Sequence, residues 1–159
     1  LIIFSKILKF YPEAIFKIIG ADGGSLQDVK NKCTELKLNK SVFFYDEMRF
    51  FEIIKHAQNS SFYLQTSLFE GAAMSVIESM KLGLVPVVTA VGEISRYCNS
   101  SNSIIVNSDS EAARDIMMIL DSKKLYYPLS KNASSTWSSN STYNESIIVS
   151  CEGMLEKWF

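Results

Sequence analysis

The chain has 159 residues, 47% hydrophobic and 12% aromatic, which describes one ordinary globular domain and excludes a disordered segment. A chain of this length buries roughly 70% of its unfolded surface on folding and needs no disulfides. With 16 basic against 17 acidic residues, a formal net charge of -1 and no basic run, it lacks the electrostatic footprint of a nucleic-acid binder.

Cys33, Cys98 and Cys151 lie far apart, with no Cys-x-x-Cys or Cys/His spacing, and read as core or surface residues rather than zinc ligands. Triplets such as Asn59-Ser60-Ser61 and Asn140-Ser141-Thr142 matter as glycosylation acceptors only in a secretory pathway. The apolar opening, Leu1 to Phe4, is far short of the roughly 20 residues of a membrane span and is followed by no signal-peptide cleavage pattern, so the cytosol is the expected compartment.

Along the chain, Leu1, Phe4, Leu8 and Tyr11 share one helical face until Pro12 forbids continuation. Ala14 to Ile19 is a β-rich apolar run closed by Gly20 and the turn Asp22-Gly23-Gly24. A helix from about Leu26 to Leu38, a strand Val42 to Tyr45, a helix from about Met48 to Gln58 and a strand Phe62 to Gln65 continue the alternation. A helix from about Ser75 to Leu82 then ends at Gly83 in the left-handed C′ position, before the strand Val85 to Thr89. A turn at Gly92, a short helix near Ile94 to Tyr97 and a strand Ile104 to Val106 follow. Ser108 to Glu111 matches a capping box for a helix to about Leu120. From Leu125 the Ser- and Asn-rich chain reads as a loosely packed connection, and Ile147 to Trp158 as a terminal helix.

This order predicts a single α/β domain with a Rossmann-like, doubly wound parallel sheet. Residues 1–122 form its body and 123–159 a helical tail of the same domain. Ligands of such folds sit beyond the carboxyl ends of the strands, near helix N-termini, which points to the loops around Gly20 to Ser25, Tyr45 to Glu47, Thr66 to Ser75 and Thr89 to Glu93.

The third of these loops carries chemistry. In Thr66-Ser67-Leu68-Phe69-Glu70-Gly71-Ala72-Ala73-Met74-Ser75-Val76-Ile77-Glu78, two carboxylates with seven residues between them flank a helix start. The small residues Gly71, Ala72 and Ala73 leave backbone amides approachable to an anion, favoured by the helix dipole. Carboxylates at the edges of that anion would accept hydrogen bonds from hydroxyl groups. A diphosphate with a polyol at each end, as in a nucleotide-sugar, fits this layout.

The run Leu64 to Gly71, Val76 to Met80, Gly83-Leu84-Val85-Pro86-Val87-Val88 and Gly92 resembles the E-x7-E region of retaining glycosyltransferases of the GT-B fold, family four. Ile18-Ile19-Gly20, the Val42 strand, the Ala57 helix end and Asn107-Ser108-Asp109 fall in the same order, so the resemblance spans roughly residues 1–120. It implies transfer of a hexose from a UDP-, GDP- or ADP-sugar to a hydroxyl acceptor with retention, in glycan or polysaccharide biosynthesis. Glu78 matches the glutamate that accepts from the ribose hydroxyls, and Glu70 the one that faces the transferred sugar near the reacting centre. Gly71, Ala72, Ala73, Met74, Ser75 and Val76 match the segment whose amides hold the sugar and diphosphate. Tyr45 matches the strand end beside the nucleobase, and Gly20 borders the donor. No Asp-x-Asp pair is present to hold a metal, and no cofactor beyond the donor substrate is implied.

The sequence departs from the family at Ser75, where proline is common, at Glu93, where a second glycine is common, and at Arg96, where glutamate is frequent. The resemblance also implies that a first strand, with a basic residue on its following loop, and an acceptor domain precede Leu1. The chain alone is then expected to bind donor but not to catalyse transfer, with any membrane contact made through the preceding part.

Structural roles stand beside these. Ser75-Val76-Ile77-Glu78 is itself a capping box, Glu70 could be a solvated loop carboxylate, and Gly71 could mark a turn with positive φ. His56, late in a helix, reads as a surface or dipole-complementing residue, and Phe43, Phe44, Tyr45, Phe50 and Phe51 read mostly as core. A non-catalytic module for a nucleotide-sugar or phospho-ligand is the alternative function.

Overall fold

The computed structural model describes residues 1–138, which form seven helices and five strands in α/β alternation. Helix α1 (Ile2–Leu8) leads to β1 (Phe16–Ile19), α2 (Leu26–Glu35), β2 (Val42–Tyr45), α3 (Phe50–Ala57) and β3 (Phe62–Gln65). Then come α4 (Met74–Lys81), β4 (Val85–Val88), α5 (Ile94–Tyr97), β5 (Ile104–Ile105), α6 (Asp109–Leu120) and α7 (Lys123–Ser138).

All strand pairs are parallel, as the alternation predicts, but they form two sheets rather than one. One pairs β1 with β2, and the other has the order β3-β4-β5. Among the described residues no strand pairs β1 with β3, and both of these strands are half-buried along their whole length. Strand β4, flanked on both sides, is fully buried. Its Pro86 fits inside a central strand because of the direction of its missing donor. The amides of Val85 and Thr89 donate to Ser61 and Gln65 on the β3 side, so residue 86 faces the other side, where β5 pairs only from Val87 onward.

Helix α1 joins the two halves. Ile3 and Ile7 pack with Val85, Val87, Ile104 and Ile116, while Phe4 packs with Cys33, Leu38 and Val42. A third cluster, Val76, Met80, Val88, Ile94 and Cys98, sits under the start of α4. Burial of one such side chain contributes roughly 1.5–3 kcal/mol, so these clusters fix where the strand ends and helix starts lie.

Several local expectations change. The stretch from Leu125 to Ser138 is helix, not a loose connection. Its Ala133 is fully buried, its Ser130 hydroxyl donates to the Gly83 carbonyl at 2.6 Å, and its Asn132 amide donates to that of Ser101 at 2.8 Å. The expected terminal helix, Ile147 to Trp158, and Cys151 lie outside the described residues. The aromatic cluster is not mostly core: Phe43 on β2 and Phe50 and Phe51 in the first turn of α3 are exposed. Lys30 and Lys55 ammoniums lie over the Phe44 and Phe51 rings, each 5.6 Å from the centroid. Gly83 does take the left-handed C′ position, with φ of +77°. At Ser108 the hydroxyl accepts from the Glu111 amide at 3.2 Å, the forward half of the expected box.

Candidate functional site

The carboxyl ends of the strands gather the candidate residues into two groups. The first surrounds a cleft of about 320 Å³ lined by Gly20, Asp22, Leu26, Lys30, Phe44 and Tyr45, among others. Gly20 and Tyr45 meet directly, since the Gly20 amide donates to the Tyr45 carbonyl at 3.1 Å and extends the β1–β2 ladder by one bond. The loop that follows closes on itself. Asp22 Oδ1 accepts from the amides of Gly24 (2.7 Å) and Leu26 (3.1 Å), and these bonds hold its carboxyl below the usual carboxylate range. His56 is half-buried, its ring tilted against that of Tyr45 with centroids 4.6 Å apart, and it thus buttresses the cleft rather than standing free on the surface.

The second group is the loop from Thr66 to Ala73 and the first turn of α4. Here the sequence expectation needs two corrections. The helix starts at Met74 with Ala73 as its N-cap, so Ser75 is already inside the helix and the Ser75–Glu78 capping box does not form. Gly71 is not in the left-handed region either. That conformation falls on Ala73, with φ of 49° and ψ of 57°, a costly place for a residue with a Cβ. The amides of Met74 and Ser75 make no hydrogen bond within the described residues, and Ala73 supplies no side-chain cap, so the helix start offers free donors. Val76 is fully buried beneath them and anchors the turn, while Gly71, Ala72, Met74 and Ser75 are exposed.

Glu70 is half-buried and held. Its Oε1 accepts from Gln65 Nε2 at 2.6 Å, and Gln65 Oε1 in turn accepts from the hydroxyls of Tyr63 (2.8 Å) and Ser75 (3.0 Å). Burial, with Glu70 and Glu78 nearby, raises the Tyr63 hydroxyl above its usual range, so Tyr63 stays a protonated donor. Glu78 is half-buried on the next turn of α4 and makes no side-chain hydrogen bond within the described residues, so its acceptor capacity is unspent.

The loop itself is clamped from the segment after β4. Thr89 Oγ1 donates to the Ser67 carbonyl at 2.5 Å, the Glu93 amide to that of Gly71 at 3.2 Å, and Tyr97 Oη to that of Ala72 at 3.0 Å. Gly92, at φ of +54°, passes so close that a Cβ there would lie 2.0 Å from the Glu70 carbonyl oxygen. Beside the clamp, Leu68 and Phe69 stand 81% and 91% exposed, an apolar tip next to the carboxylate.

Sequence reasoning assigned no role to Gln65 or Tyr63, and placed Thr89 only at the start of a candidate loop. The available signal was strand periodicity: Tyr63 and Gln65, two apart on β3, share a face, and a glutamine closing an apolar strand is out of pattern. No hydrogen bond or ring contact joins the Gly20–Tyr45 group to the Glu70–Glu78 group among the described residues.

Among solved structures, the chain is similar to the C-terminal domain of a glycosyl transferase group 1 family protein (LpcC) from Francisella tularensis, with a TM-score of 0.74 at 20% identity. That match covers 87% of this chain and 77% of the other. Sucrose-phosphate synthase from Thermosynechococcus elongatus gives a TM-score of 0.83 at 16% identity, over 99% of this chain and 42% of that one. TarM from S. aureus, in a complex that includes UDP, gives 0.78 at 18% identity, over 98% and 30%. The chain therefore spans less than half the length of the last two. No curated protein matches the chain. The fold is that of C-terminal domains of GT-B glycosyltransferases. Residues 2–136 match the family described as glycosyl transferases group 1, which covers most of the sequence and every element that builds the site, and the chain belongs to that family.

Proposed function

We propose that this chain is the donor-binding half of a retaining glycosyltransferase of family four, which transfers a hexose from a UDP-, GDP- or ADP-sugar to a hydroxyl acceptor in glycan or polysaccharide assembly. The observation that carries the reading is the pairing of free amides at the start of α4 with two carboxylates that keep acceptor capacity, Glu70 before the helix and Glu78 within it. In this reading the amides of Gly71 to Ser75 receive the diphosphate and part of the sugar, and the helix dipole favours its charge, while the Val76 amide, which donates to the Ala73 carbonyl at 2.9 Å, is spent within the turn. Glu78 accepts from the ribose hydroxyls and Glu70 from a hexose hydroxyl near the anomeric carbon. Gly20 and Tyr45 border the base.

Several relatives in fold support a nucleotide donor: TarM was solved with UDP, and HepE from Anabaena with UDP and glucose. The greater length of TarM and of sucrose-phosphate synthase supports an acceptor side supplied by a further domain of the same polypeptide, which would position the acceptor and exclude water. Transfer is proposed to need no metal, because no Asp-x-Asp pair is present to hold one, and to take place in the cytosol, with any membrane contact outside this chain.

A thermal-shift panel of UDP-, GDP- and ADP-sugars identifies the donor, since a ligand that binds only the folded state raises Tm. With that donor, Glu78→Gln should weaken nucleoside diphosphate binding by roughly tenfold or more, the loss of one charge-assisted bond, and leave the ligand-free Tm unchanged. Unchanged affinity would remove the ribose role, full turnover in Glu70→Gln would remove the catalytic role of Glu70, and donor binding without turnover by the wild-type full-length protein would favour the non-catalytic binding module.

A further inference from the structure

We infer that Gln65 is a positioning residue for Glu70, and that it dictates which carboxylate oxygen is presented to the donor sugar; this inference rests on the donor-site reading above. A carboxylate can only accept, so the Gln65 side chain must turn its NH2 toward Glu70, which leaves its carbonyl oxygen to the Tyr63 and Ser75 hydroxyls. With Nε2 committed to Glu70 Oε1 at 2.6 Å and Oε1 held from two sides at 2.8 and 3.0 Å, the amide has one orientation. The two hydroxyls come from different elements, Tyr63 from β3 and Ser75 from the first turn of α4, so the amide ties the loop carboxylate to both the strand and the helix.

Two consequences follow for Glu70. Its Oε1 is occupied by an amide donor, and Oε2 is the oxygen left to accept from a hydroxyl. Its direction is also set by a rigid strand end rather than by the exposed loop on which its own backbone sits, between Phe69 and Gly71. Ser75, which stands where proline is common in the family, has its hydroxyl spent on this arrangement.

The test uses the full-length protein and, as probes, UDP together with UDP-glucose, UDP-N-acetylglucosamine or GDP-mannose, whichever the protein turns over, with GDP replacing UDP in the last case. Gln65→Leu keeps similar bulk and removes the donor. Turnover of the sugar donor should fall roughly ten- to a hundredfold, while affinity for the nucleoside diphosphate, which carries no hexose, stays within about twofold. Tyr63→Phe, a milder change, removes one anchor of the amide and should lower turnover in the same direction by about two- to fivefold. Combining Gln65→Leu with Glu70→Gln should cost no more than Glu70→Gln alone, because the first residue acts only through the second. Turnover in Gln65→Leu within twofold of wild type, equal losses of nucleotide affinity and turnover, or multiplying losses in the double variant would each overturn the inference. These outcomes separate from a failure of the donor-site reading, which shows instead as full turnover in Glu70→Gln.

Discussion

Two loops at the carboxyl ends of the strands, residues 20–25 after β1 and 66–73 after β3, occupy equivalent places in the alternation yet are held in different ways. The first is shaped from within: glycines with open space around them, and one aspartate that accepts from two amides of its own turn. The second is shaped from outside, by Thr89, Glu93, Tyr97 and the close passage of Gly92. The difference teaches where precision is invested. A self-contained turn suffices to border a cleft, whereas the loop that carries Glu70 is fixed by a neighbouring segment some twenty residues later in sequence.

The comparison breaks most sharply at Gly92. Gly92→Ala places a Cβ 2.0 Å from the Glu70 carbonyl oxygen, so the backbone of one loop has to move. Overpacking and positive-φ strain together should cost about 3 kcal/mol, read by chemical denaturation, with donor turnover lost as well. The same substitution at Gly24, where φ is +100° and nothing lies within 4 Å, meets strain alone. Gly24→Ala should therefore cost only about 1 kcal/mol and leave the Glu70 loop and its hydrogen bonds intact. Equal losses at the two glycines would erase the distinction drawn here.

Two smaller effects sharpen it. Ala73→Gly releases the left-handed strain at the start of α4 but gives up a buried methyl, and a net gain of about 0.5 kcal/mol, roughly 1–2 °C in Tm, is expected. Smallest is the acid response of the first loop. The Asp22 carboxyl is depressed by the amides of Gly24 and Leu26, so its contribution is present above the unfolded value near 3.8 and is lost as pH falls through the folded value. Against Asp22→Asn, which keeps an acceptor but does not ionise, the wild-type advantage in Tm should be constant from pH 7 to 5 and shrink below about pH 3.8.

Much of the fold is legible in the sequence because short apolar runs bounded by Gly, Pro and Asn alternate with helical periodicity, and every expected strand from Phe16 onward is present with parallel partners. The break between the sheets is not legible, because strand partners are set by tertiary placement and a half-buried strand such as Phe62–Gln65 reads like a buried one. At the site, the glutamate pair and the helix start could be located from residue types and spacing. The cap could not. Ser75-x-x-Glu78 satisfies the local rule perfectly well, but the chain enters the helix two residues earlier through Ala73, and the serine turns to Gln65 instead. Likewise the clamp by Thr89 and Gly92 joins segments that no local pattern connects.

Helix α1 sends Ile3 and Ile7 into the cluster around Val85 and Val87, and Phe4 into the one around Leu38 and Val42. Close behind it, Tyr11 donates to Asp121 Oδ1, 110 residues away. The kinetic meaning is that neither half can complete its core until α1 has docked against the α6 region, a contact that closes a loop of more than a hundred residues. Such high-order contacts pay their entropy before they are rewarded, so folding should wait on this one docking event. During synthesis, α1 emerges before the other elements described and would be among the last of them to find its place.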